Sequence, residues 1–89
     1  MDDHEKAIEL YQQAYDSRCK VLGESHPKTL VTLNNLAYHH GQVGNHQRSK
    51  EMYETVYILR CKTLGENHPD TENAKRNLGY AQKRCEGTE

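Results

Sequence analysis

Apolar residues along the chain recur at intervals of three and four. Ala7, Leu10, Tyr11, Ala14, Tyr15, Val21 and Leu22 follow this spacing, which is the period of a helix with one apolar stripe. No segment shows the strict alternation of a strand. Asp3 stands before the first stripe and predicts an N-cap, while Gly23 stands after it and predicts a left-handed terminating residue. Pro27 suits the first turn of a second helix, where a missing N–H costs nothing. That helix carries Leu30, Leu33, Leu36 and Ala37, and Gly41 to Gly44 close it. Asn45 predicts a cap for a third helix bearing Met52, Tyr53, Val56, Tyr57 and Leu64. Pro69 opens a fourth with Ala74, Leu78, Ala81 and Cys85, fraying by Gly87. The pattern therefore predicts an all-α chain, with helices at about residues 4–22, 28–42, 46–64 and 70–85. Short connections make neighbouring helices antiparallel.

The third helix repeats the first. Leu22-Gly23-Glu24-Ser25-His26-Pro27 returns as Leu64-Gly65-Glu66-Asn67-His68-Pro69, an offset of 42 positions. The same offset pairs Tyr11 with Tyr53, Tyr15 with Tyr57, Arg18 with Arg60, Cys19 with Cys61, Asn35 with Asn77, Leu36 with Leu78 and Tyr38 with Tyr80. All 6 Tyr and both Pro fall into such pairs. A fixed period of this length is the mark of a stacked repeat architecture.

Composition narrows the function classes. With 89 residues the chain holds one small domain. Its apolar content is low, but 12 basic residues against 13 acidic ones leave a net charge of −1, too little for charge-driven disorder. The same balance gives no global reason to bind nucleic acid or an anionic membrane. The run Val56-Tyr57-Ile58-Leu59 is the longest wholly apolar stretch, far short of a membrane span of roughly 18 residues. The acidic N-terminus is no signal peptide. Three Cys without a secretion signal point to a reducing cytoplasm.

Small residues sit where paired helices would touch. Leu36-Ala37 is followed by Gly44, Ser49, Tyr53 and Val56, and the first segment supplies Ala7, Tyr11 and Ala14 in the last three of those slots. Together with Thr32-Leu33-Asn34-Asn35-Leu36-Ala37 and the Leu-Gly-Glu-x-His-Pro linker, this arrangement resembles the tetratricopeptide repeat, in its long 42-residue variant found in kinesin light chains and nephrocystin-type proteins. HEAT and armadillo repeats share the period but not these small residues or this linker. The departures are His40 and Gln82 in a slot that usually holds Tyr, Lys75 where the equivalent helix has Leu33, and Ser49 in place of Ala. The resemblance implies a right-handed α-solenoid of about two repeat units, a slice of a longer array. It also implies a non-catalytic protein–protein interaction module that needs no cofactor.

In such arrays the first helix of each unit lines a concave groove. The resemblance places Val31, Asn34, Asn35, Tyr38, Gly41 and Gln42 there, with Asn73, Arg76, Asn77, Tyr80, Lys83 and Arg84 from the fourth helix. The spacing agrees, since Asn34, Asn35 and Tyr38 lie roughly opposite the Leu30/Leu33 stripe. An Asn amide both donates and accepts, so it can hold a peptide backbone without reading side chains. Alternatively, Asn35 and Asn77 serve only to bond a neighbouring helix. Arg76, Tyr80, Lys83 and Arg84 share one helix face, a basic stripe suited to an acidic peptide through bidentate carboxylate pairs. A solvated surface face, or cations placed to complement the helix C-terminus, explains them equally well. No metal is expected. His39 and His40 are adjacent, point about 100° apart, and form no His-x3-His pair with His46 or any other His. His26 and His68 are expected to bond backbone near the turns. No nucleophile–base pair or Gly-rich phosphate loop is present, so no enzyme is expected. The competing expectation is a structural fragment that forms dimers or larger assemblies through uncapped ends, where Ala7, Leu10, Leu78 and Ala81 would lack cover.

Overall fold

The computed structural model describes residues 3–86. Four helices follow one another: α1 (His4–Leu22), α2 (Pro27–Gln42), α3 (His46–Leu64) and α4 (Pro69–Cys85). Each packs against its sequence neighbour, which is the layout of an α-solenoid. No strand occurs among the described residues. Gly87 lies outside them.

The start signals act in three ways. Asp3 caps α1, its Oδ1 accepting from the Lys6 N–H at 3.0 Å. The starts of α2 and α4 are capped by the linker histidines. His26 Nδ1 accepts from Lys28 N–H at 3.1 Å, and His68 Nδ1 from Asp70 N–H at 3.0 Å. Pro27 and Pro69 are therefore the first helical residues, one position earlier than the pattern predicts. Asn45 does not cap α3. Its Nδ2 lies 3.2 Å from His40 Nδ1 instead, so the amide is drawn across the α2–α3 turn.

The linker glycines also differ from expectation. Gly23 has φ 96° and ψ 157°, and Gly65 has φ 93° and ψ 157°. These angles are extended rather than left-handed helical, in a region open essentially only to Gly. The Gly23 N–H still closes the helix, donating to the carbonyls of Arg18 and Cys19.

The core lies between the helix pairs. Leu33, Leu36, Val56 and Ala74 form its centre, with Ile8, Tyr11, Tyr15, Met52 and Tyr57 packed around it. A repeated polar brace ties each pair. Arg18 Nη1 donates to the Lys28 carbonyl at 3.2 Å and to Thr32 Oγ1 at 2.7 Å, while Thr29 Oγ1 donates to the Arg18 carbonyl at 3.5 Å. One repeat on, Arg60 Nη1 donates to the Asp70 carbonyl at 3.2 Å and Thr71 Oγ1 to the Arg60 carbonyl at 3.3 Å. Leu78 and Ala81 do not form a bare end. Both are buried, on a helix that packs against α3.

Candidate functional site

α2 and α4 flank a cleft of about 340 Å³. Tyr38 and Gln42 project into it from α2, and Asn77, Tyr80 and Arg84 from α4. Six of the residues expected in the groove, Gly41 among them, therefore share one cavity. The start of α3 closes the cleft with His46, Ser49 and Tyr53. Spacing along α2 and α4 alone gave no sign of these three. Their contribution depends on how closely α3 packs, and the signal for that was the small residue at Ser49. Ser49 Oγ donates to the Ala37 carbonyl at 2.8 Å, and a Cβ at Gly41 would stand 3.3 Å from that oxygen. The glycine thus lets α3 approach.

Asn34 sits beside the cleft, accepting on Oδ1 from Asn77 Nδ2 at 3.3 Å. This bond joins the two inner helices and leaves Asn34 Nδ2 and Asn77 Oδ1 as one donor and one acceptor. Asn35 is half-buried and does not line the cleft. Arg76 is exposed, donates to Asn73 Oδ1 at 3.3 Å, and also stays outside the lining, as does Lys83.

The lining is aromatic and cationic. None of its residues is acidic, and Arg84 brings a permanent charge. Tyr80 is 68% exposed and Tyr38 48%, so both rings are open to a ligand. Tyr53 lies deeper. Burial, and then the neighbouring Tyr38, raise its pKa, so it stays a neutral phenol.

A second cluster borders Tyr38. His39 stacks on Tyr11 with centroids 5.4 Å apart, and its Nδ1 lies 2.7 Å from His4 Nδ1. At that distance one ring donates and the other accepts, the roles set by the tautomer of each. Tyr38 meets both rings edge-on, at 6.1 Å and 5.1 Å. The His4–His39 pair was not legible beforehand, because its members lie 35 positions apart. His40 points elsewhere. It is buried, its Nδ1 faces Asn45, and its Nε2 has no partner. Burial, and then the charge of Arg48, lower its pKa. Among the described residues no three His, Cys, Asp or Glu side chains are grouped to hold a metal ion.

The profile of the tetratricopeptide repeat family matches residues 1–61, more than half of the chain. The chain belongs to the tetratricopeptide repeat family. Repeats of this family generally mediate protein–protein interactions and are generally non-catalytic. No curated protein matches the chain. No helix among the described residues is long and apolar enough to cross a membrane.

Proposed function

We propose that this tetratricopeptide repeat chain binds an extended peptide segment, acidic in character, along the α2/α4 face. The supporting observation is the cleft, where Tyr38, Gln42, Asn77, Tyr80 and Arg84 converge without an acidic side chain. The Asn34–Asn77 pair grips the peptide backbone, the two open Tyr rings cover its apolar groups, and Arg84 pairs with a carboxylate. Arg76 and Lys83 flank this centre and add longer-range attraction through their charges, while Asn35 flanks it as a neutral amide. The role needs no cofactor or catalysis, and the three free thiols fit a cytoplasmic setting. Binding of a fluorescent acidic peptide tests the proposal. Arg84→Glu is expected to weaken it at least tenfold, and Arg76→Glu with Lys83→Glu less, with helicity unchanged. The losses should shrink as salt rises, since exposed charges are screened over about 8 Å at physiological ionic strength. Full affinity in Arg84→Glu would overturn the proposal.

Self-association is the second reading, and one observation favours it: Leu10 is 57% exposed and Val21 77%. Both lie on α1. Sedimentation across concentration checks this reading, and a monomer at hundreds of micromolar removes it.

A further inference from the structure

A second cavity, of about 320 Å³, lies at the other end of α2 from the cleft. Pro27, Leu30 and Val31 line it from the start of α2, and Leu64 from the end of α3. Val31, expected in the groove, lies here instead, and both it and Leu64 are exposed. The cavity shares no lining residue with the cleft, so a role for one stands or falls apart from a role for the other.

The same cavity holds a charge with donors to spare. Arg60 lines it and is only 8% exposed. Its repeat counterpart, Arg18, holds two acceptors, the Lys28 carbonyl and Thr32 Oγ1. At Arg60 only the carbonyl survives, supplied by Asp70. The 42-position offset puts Ala74 in the place of Thr32, and Ala74 is fully buried and has no hydroxyl. A guanidinium presents several N–H donors in a fixed fork. A buried charge is costly until an opposite charge and hydrogen bonds meet it. Asp70 also lines the cavity, yet it meets Arg60 through its carbonyl, and the residue is exposed.

We propose that this cavity binds a small carboxylic acid with a short hydrocarbon body, in its anionic form. The carboxylate accepts a forked pair of hydrogen bonds from Arg60, replacing the acceptor lost at Ala74. The hydrocarbon body covers Pro27, Leu30, Val31 and Leu64. The volume stands at the low end of the roughly 300–1,000 Å³ usual for ligand pockets, which keeps the body short. A polypeptide segment fits less well, because its backbone N–H and C=O groups would press on apolar side chains without partners.

The test titrates hexanoate into the full chain and reads the amide chemical shifts of residues 25–31 and 60–70. Hexanoate is expected to move them saturably at millimolar concentration. Acetate, which has the charge without the body, and hexanol, which has the body without the charge, are expected to bind at least tenfold more weakly. Val31→Glu, at an exposed position, is expected to keep its helicity and weaken hexanoate at least tenfold. Ala74→Ser returns a hydroxyl acceptor to Arg60 and is expected to cause a smaller loss. Asp70→Asn removes a neighbouring like charge and is expected to tighten binding. An absent response to hexanoate, equal binding of acetate or hexanol, full affinity in both Val31→Glu and Ala74→Ser, or weaker binding in Asp70→Asn overturns the proposal. A short peptide ending in leucine that outcompetes hexanoate at these residues overturns it too, by making a chain end the occupant.

Discussion

α1 and α3 share Tyr, Arg, Cys and Lys at matching positions and the same closing Leu-Gly-Glu, yet their environments diverge. α3 buries Ser49, Val56 and Arg60, while α1 buries nothing. The difference comes from the neighbours, because α3 packs broadly against both α2 and α4, whereas α1 has broad contact with α2 only. In a stacked repeat a residue's stability contribution depends on its place in the stack as much as on its identity. One pairing is common to both helices. Burial first, then a bond to Cys19, raises the Tyr15 pKa to about 12. At Tyr57 the bond to Cys61 leads. These i, i+4 pairs are local to one helix and survive the change of surroundings.

The sharpest way to break the comparison is to exchange equivalent residues. Val56→Ala, at a fully buried position, is expected to cost about 2 kcal/mol through lost burial and the cavity left behind. Ala14→Val, its counterpart, should stay within about 0.5 kcal/mol. Urea denaturation of the two variants measures both, and equal losses would mean that α1 is as well covered as α3.

A pH series examines the second pair, His40 and Gln82. His40 is neutral when folded because its pKa is lowered, mainly by burial. The unfolded chain then binds the extra proton, so stability is lost as pH falls below the ordinary histidine value of about 6.5. One such group contributes a slope of at most about 1.4 kcal/mol per pH unit. His40→Gln, which makes the position like Gln82, should flatten this part of the profile. Melting curves between pH 5 and 7.5 read the change, and an unchanged slope would place the sensitivity elsewhere.

The smallest expected effect is a similarity between the units. His26→Ala and His68→Ala each remove one N-cap and should each cost about 1 kcal/mol, with most of it restored by Asn. Thermal melts check both. Unequal costs would show that the two linkers are not energetically equivalent.

The helices were legible because period, caps and prolines all agree within each unit. The linker histidines were legible as backbone partners for the same reason. The cleft was legible along α2 and α4, where Tyr38, Gln42, Asn77, Tyr80 and Arg84 follow helical register. It was not legible at His46, Ser49 and Tyr53, which enter through the approach of α3. Asn45 misled because its cap competes with His40, a partner that only the folded turn supplies. Leu78 and Ala81 misled because the lack of a following helix does not bare them: both are buried, as is Leu36, the counterpart of Leu78.

Gly23 and Gly65 adopt nearly the same rare angles, 96° and 157° against 93° and 157°. A joint that bends identically each time it is written acts as a screw operation encoded in six residues. Duplicating the 42-residue segment would propagate one pitch and one curvature without redesigning any packing. A side chain at either glycine, by contrast, would alter the angle at a single joint and put a bend into an otherwise regular spiral.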